Sequence, residues 1–258
     1  MLLREVQYAR PGSVEEALQA LAAHEGARAL AGGQTLLNVM KARAASPDVL
    51  VDLRDLEELR GVARTQDGGL RIGAMATYAQ LMREPAVGEA RPILAEVVAQ
   101  IADVQVRNRG TIGGNVCSSD PTNHLPPLAV AQRWTMHAAG PAGERDVAAD
   151  EFFLGVYFTA IGPGELLTAI TIPPGGSDGF ASVTLGVDGT CIANAAAQVR
   201  DGQARIALGC VGAVPVVVSS PDEVRAAAPD APADVHASAD YRRHLAEVCA
   251  RRALEQAS

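Results

Sequence analysis

Ala27-Arg28-Ala29-Leu30-Ala31-Gly32-Gly33-Gln34-Thr35 is the stretch on which the reading of this chain turns. Residues 27–31 form a short apolar run that predicts a strand, and the strand stops on two consecutive glycines. Upstream, Ser13-Val14-Glu15-Glu16 has the spacing of a capping box, with a hydroxyl at the helix start and a carboxylate three residues on. Val14, Ala17, Leu18, Leu21 and Ala22 then recur on one helical face. Downstream, Leu36-Leu37-Asn38-Val39-Met40 leads to a strand-like run over residues 49–53. Together these segments predict an alternating α/β unit of about 55 residues.

A second glycine pair lies in Val106-Arg107-Asn108-Arg109-Gly110-Thr111-Ile112-Gly113-Gly114-Asn115. Before it, residues 71–74 read as a strand, and Thr77 to Gln80 as a capping signal for a helix through Met82. Pro92 suits the first position of a helix over residues 93–102. Residues 108–115 are too rich in glycine for regular structure, so a loop is expected there. Asp103 and Arg107 are placed to form a supporting ion pair. Residues 134–138 and 166–172 read as strands, and Gly140-Pro141-Ala142-Gly143 as the turn of a hairpin.

Pro173-Pro174-Gly175-Gly176-Ser177-Asp178-Gly179 is an uninterrupted run of turn residues and the expected domain boundary. Beyond it, strand-like runs cover residues 181–185, 193–199, 205–211 and 214–218, with Asp201-Gly202 as a tight turn. Residues 221–237, rich in alanine and proline, read as a surface excursion. A final amphipathic helix from near Asp240 brings Leu245, Val248, Cys249, Arg252 and Ala253 to one face. The C-terminal unit is therefore expected to be an antiparallel sheet covered by one helix.

The 258 residues suffice for a large core in one domain or two, and 48% hydrophobic with 20% charged residues is globular composition. A net charge of −8 without a basic run argues against nucleic acid or an anionic membrane as partner. No stretch approaches the roughly 18 to 20 apolar residues of a membrane span, and the first residues lack the apolar core of a signal peptide. Cys117, Cys191, Cys210 and Cys249 form no CxxC pair, which fits reduced thiols in a cytoplasm and leaves no spacing for a cysteine-ligated cluster or zinc. Cys117 reads first as a small hydrophobe, Cys191 and Cys210 as strand core, and the pairs Glu15-Glu16 and Glu57-Glu58 as solvated faces.

Chemistry concentrates at the two glycine pairs. Glycine lets the backbone approach a ligand closely, and consecutive exposed N–H groups form an anion-binding concavity suited to a pyrophosphate. Gln34, Thr35, Thr111 and Asn115 add side-chain hydrogen bonds. Either pair alone also reads as an ordinary turn. Neither matches G-x-G-x-x-G or the P-loop, so nicotinamide and nucleoside triphosphate sites lose support.

Taken together and in order, the two motifs closely resemble the FAD-binding signatures of molybdenum hydroxylase flavoprotein subunits. That family includes the medium subunit of aerobic carbon monoxide dehydrogenase and the FAD domain of xanthine dehydrogenase. The likeness continues through Asp120-Pro121, Gly164-Glu165-Leu166-Leu167, Ile172-Pro173 and Tyr241-Arg242-Arg243-His244-Leu245. It implies an α+β fold: a two-part α/β FAD-binding domain of PCMH type over residues 1–175, split near residue 55, and a small antiparallel-sheet-plus-helix domain over residues 176–258. It implicates Ala31, Gly32, Gly33, Gln34 and Thr35 in holding the FAD pyrophosphate. Thr111, Ile112, Gly113, Gly114 and Asn115 would meet the diphosphate–ribityl region and approach the isoalloxazine, with Ser118 on the same loop and Leu167 near the flavin.

Two departures stand out. His124 occupies a position where many relatives carry aspartate, and is expected to hydrogen-bond the flavin and to titrate near neutral pH, or else to be a loop histidine beside Pro126-Pro127. Val183, Val187 and Asp188 align with basic positions. The resemblance implies no catalytic side chain and no metal on this chain. It implies FAD here, molybdenum cofactor on a molybdopterin-binding large subunit, and [2Fe–2S] clusters on a small subunit, in a dimer of heterotrimers. Electrons from the clusters would pass through FAD to an external acceptor. A free-standing FAD-dependent oxidase or dehydrogenase, or a flavin-less assembly subunit, remains as an alternative.

Overall fold

Ser13 opens the first helix as its spacing requires: its hydroxyl accepts from the Glu16 amide at 3.1 Å. The Glu16 carboxylate reaches the Gly12 amide (2.7 Å), one residue before the partner a capping box would use. The computed structural model describes residues 2–186 and 189–258, so Val187 and Asp188 lie outside the described residues. In the first unit, β1 (Gln7–Ala9), α1 (Val14–Ala23), β2 (Ala27–Leu30), α2 (Leu36–Lys41) and β3 (Val49–Asp52) form a parallel sheet ordered β1-β3-β2. Ala17 and Leu21 of α1 pack on Ala27, Val49 and Val51 of that sheet.

The second unit begins with β4 (Val62–Arg64) and β5 (Leu70–Gly73). Six short helices follow: α3 (Tyr78–Leu81), α4 (Pro85–Ala90), α5 (Pro92–Ala99), α6 (Val104–Arg109), α7 (Ile112–Ser118) and α8 (Leu125–Ala131). Then come β6 (Thr135–Gly140), β7 (Gly143–Ala148), α9 (Ala149–Phe152), a small hairpin of β8 (Phe153–Gly155) and β9 (Phe158–Thr159), and β10 (Leu166–Ile172). Its antiparallel sheet runs β4-β5-β10-β6-β7 and packs on the helices around Trp134, Leu94 and Leu128. Pro92 does start α5, but the helix stops at Ala99, because Ala102 turns left-handed (φ +45°) and Asp103 caps α6.

The loop expected over residues 108–115 is not one. Gly113 and Gly114 lie inside α7, whose first turn is capped by the Thr111 hydroxyl accepting from the Gly114 amide at 3.0 Å. Each helical glycine costs about 1 kcal/mol relative to alanine. Packing overrides that cost, since a Cβ on Gly113 would stand 2.6 Å from the Ala74 carbonyl oxygen. The expected Asp103–Arg107 ion pair does not form either. Asp103 accepts from the Val106 amide (2.8 Å), while Arg107 donates to the carbonyls of Ile101 and Ala102.

The third unit holds β11 (Ser177–Thr184), β12 (Cys191–Arg200), β13 (Gln203–Gly209), β14 (Val216–Val218), α10 (Val224–Ala227) and α11 (Ala239–Gln256). Its antiparallel sheet is ordered β11-β12-β13-β14, with Asp201 and Gly202 both at positive φ in the β12–β13 turn. β11 starts four residues earlier than the sequence predicts and takes the last three residues of the expected boundary turn. α11 covers one face with Leu245, Ala246, Cys249, Ala250 and Ala253, whereas Arg252, expected on that face, is exposed. Residues 221–237 are not merely a surface excursion: Val224, Ala228, Ala231 and Ala237 fill the same core beside α11. The opposite sheet face meets α8, so β12 is buried on both sides over most of its length. A buried ion pair, Arg91 to Asp178 at 3.0 Å, ties α5 to β11, and Gln198 donates to the same carboxylate at 3.0 Å.

Candidate functional site

The two glycine motifs meet along one seam. A Cβ on Gly32 would overlap the Arg109 carbonyl oxygen at the end of α6, so only glycine lets the β2–α2 turn come this close. Gly33 follows with φ +73°, a left-handed turn that carries the chain into α2. A Cβ on Gly114 would lie 3.6 Å from the Ala31 methyl. The seam forms the floor of an open cleft of about 700 Å³, within the usual range for small-molecule pockets.

Ala31, Gly32, Gly33, Gln34 and Thr35 all line this cleft, and so do Thr111, Gly114, Asn115 and Ser118. Four other expected site residues are not among its lining. Ile112 and Leu167 are buried in the central core, and Gly113 presses against Ala74. His124 is also buried, at the start of α8, with its ring centroid 5.3 Å from that of Phe180 on β11. Burial pushes the His124 pKa down to about 4, and its Nε2 has no hydrogen-bond partner. The expected titration near neutral pH is therefore overturned: Phe180 and the C-terminal sheet close over a ring that stays neutral.

The motifs differ in what their backbones offer. Among the described residues, no acceptor takes the amides of residues 32–36, which belong to the turn and the uncapped start of α2. At the second motif every amide of residues 112–115 is bonded. Ile112 donates to the Ala76 carbonyl (3.0 Å), Gly113 to that of Ala74 (2.9 Å), Gly114 to the Thr111 hydroxyl and Asn115 to the Thr111 carbonyl (3.0 Å). The second motif contributes side chains instead. Asn115 donates through Nδ2 to the Tyr78 hydroxyl at 2.9 Å, while its Oδ1, buried and lacking any partner, is an acceptor without a donor. Such a group is costly to leave unpaired, so it marks a place for a ligand N–H or O–H.

Several lining residues escaped the sequence reading: Arg28, Tyr78, Asn123 and Tyr157. Tyr78 was hidden by its place just after the Thr77 cap, and its burial pushes the phenol up to about 12, keeping it neutral. Tyr157 had no motif signal. Among the described residues, Arg28 is the one charged member of the lining, and no described carboxylate lines this cleft although the chain's net charge is −8. Free amides, one guanidinium and no carboxylate suit a dianionic diphosphate. Cys117 also lines the cleft, with burial pushing its thiol up to about 12, so it stays protonated. No group of three His, Cys, Asp or Glu side chains among the described residues is placed to hold a metal ion, and no described helix is long and apolar enough to cross a membrane.

Comparison with known proteins finds a family and several relatives. Residues 4–175 match the family described as FAD binding domain in molybdopterin dehydrogenase. The carbon monoxide dehydrogenase medium chain of Afipia carboxidovorans is 44% identical over 183 residues, covering 70% of this chain and 63% of that protein. The nicotine 6-hydroxylase medium subunit of Paenarthrobacter nicotinovorans is 33% identical across 100% of this chain and 99% of its own. Among solved structures, a chain of reconstituted CO dehydrogenase from Oligotropha carboxidovorans superposes with a TM-score of 0.94 at 35% identity, covering 100% of this chain and 99% of that one.

Proposed function

This chain belongs to the family of FAD-binding domains of molybdopterin dehydrogenases, and from that premise we propose that it is the flavoprotein subunit of a molybdenum hydroxylase complex. The observation that carries the reading is the row of unbonded amides at residues 32–36 in a cleft whose described lining holds no carboxylate. These amides receive the diphosphate of FAD, with Arg28 at the cleft edge adding positive charge. Thr111, Gly114, Asn115 and Ser118 form the facing wall, and Asn115 Oδ1 accepts from the bound cofactor. Ile112, Gly113, Leu167 and His124 support that wall from behind. Bound FAD would supply the electron-transfer chemistry, and the protein's part is to hold and orient it.

Residues 1–175 serve as the FAD-binding domain and residues 176–258 as the domain that closes over α8. The partners are a molybdopterin-binding large subunit, which selects and oxidises the substrate, and a small [2Fe–2S] subunit, which delivers electrons for transfer to an external acceptor. The relatives' description as medium chains supports such an assembly. Four unpaired thiols suit a reducing compartment such as the cytoplasm. The test is purification of the chain with its complex. A flavin spectrum with bands at roughly 370 and 450 nm, one FAD per chain and displacement by ADP are expected. A colourless protein that takes up no added FAD would refute the reading, and substrate oxidation by the isolated chain would point to a free-standing oxidase.

A further inference from the structure

Among the described residues, Tyr157 is the one aromatic ring that the cleft leaves open. Of the two tyrosines in the lining, Tyr78 is 4% exposed and wedged behind Gly110, where an added Cβ would stand 2.6 Å from its ring. Tyr157 is 63% exposed at the tip of the β8–β9 hairpin. It is nevertheless held in place. Its hydroxyl donates to Asp120 Oδ2 at 3.1 Å, and its amide donates to the Ser119 carbonyl at 3.0 Å. Asp120 is fixed in turn, because its Oδ1 accepts from the amide and hydroxyl of Thr122 at 2.9 and 2.8 Å. The Ser119 hydroxyl closes the loop by donating to the Gly155 carbonyl at 2.9 Å. Both Tyr157 (φ +56°) and Ser119 (φ +44°) are left-handed without being glycine. Strain of this kind persists where the surrounding structure over-determines a residue, often at ligand clamps.

The ring lines the cleft with Ser118 and Asn123, whose side chains are joined by a 3.0 Å hydrogen bond, and its amide is bonded to Ser119, next to Ser118 in the chain. Leu36, Val39, Ala44 and Ala45 belong to the lining around α2, with the unbonded amides at the head of that helix. A planar ring system with a hydrogen-bonding edge fits the aromatic and amide-bearing part of the lining better than the aliphatic one. Resting on the FAD reading above, we propose that Tyr157 is the aromatic platform on which the isoalloxazine of bound FAD stacks, and that Asp120 is the positioning residue that sets its plane.

The test uses the full chain carrying FAD, with the emission of bound flavin and the affinities for FAD and ADP as readouts. A phenol in contact with an excited flavin quenches it by electron donation. Tyr157→Leu should therefore raise emission per bound flavin about threefold and weaken FAD about fivefold, the scale of one aromatic stack. Affinity for ADP, which carries only the other half of the cofactor, should stay within about twofold. Tyr157→Phe keeps the ring and should hold FAD within about twofold of wild type, while Asp120→Asn should raise emission part of the way. Wild-type emission and affinity in Tyr157→Leu would overturn the platform, and so would an equal loss for ADP and FAD. A wild-type chain that binds neither FAD nor ADP would instead overturn the FAD reading on which it rests.

Discussion

At the β2–α2 turn, the amides of residues 32–36 have no acceptor among the described residues, whereas at α7 the amides of residues 112–115 are all bonded within the protein. Both regions carry the same Gly-Gly pair beside the same cleft. The first pair brings its turn against the end of α6 and leaves the turn's amides open to the cleft. The second is a packing device, because Gly113 lets α7 sit on Ala74 and Gly114 lets it approach Ala31. Identical residue types thus do different work according to whether another strand or helix already supplies acceptors.

Breaking the first region should have the largest effect. Gly32→Val drives a branched side chain into the Arg109 carbonyl and moves the turn off the seam. FAD affinity, measured by titration of the apoprotein, should fall about a thousandfold, equal to about 4 kcal/mol. Retention of stoichiometric FAD by the folded variant would show that the turn does not hold the diphosphate.

The second region should respond through stability. Because burial holds the folded His124 pKa at about 4, below its ordinary 6.5, the neutral ring contributes fully above pH 6.5, and that contribution is lost as pH falls through 4. The loss amounts to on the order of 3 kcal/mol well below pH 4. Urea midpoints between pH 7 and pH 4 should fall for wild type and flatten for His124→Leu, while the flavin potentials of variant and wild type should follow the same course between pH 6 and 8. A potential that tracks His124 in that range would put the ring back beside the flavin. Smaller still, Gly113→Ala should cost about 2 kcal/mol by crowding Ala74, seen as a lower Tm. Smallest of all, Thr111→Val removes the cap on Gly114 and should cost about 1 kcal/mol, with FAD affinity changed by less than about threefold. A collapse of binding in Thr111→Val would erase the distinction between the two regions.

Local chemistry was legible in the sequence. Thr77 and Gln80 form both hydrogen bonds of their capping box (3.2 and 2.9 Å), and Asp201-Gly202 makes the turn its composition predicts. What depends on distant partners was not. Helix α7 runs through two glycines because Ala74 and Ala76, far upstream, take its first amides. His124 leaves the cleft because Phe180 arrives from another sheet to cover it. Tyr157 enters the cleft through a left-handed residue that is not itself a glycine. Family motifs located the seam, but only the hydrogen bonds revealed which side of it is open.

Amide hydrogen exchange with and without FAD tests that difference most directly. Residues 32–36 should exchange quickly in the apoprotein and become strongly protected on binding, while residues 112–115, already bonded, should be protected in both states. Fast exchange at residues 112–115 that slows on FAD binding, with residues 32–36 unchanged, would contradict the account.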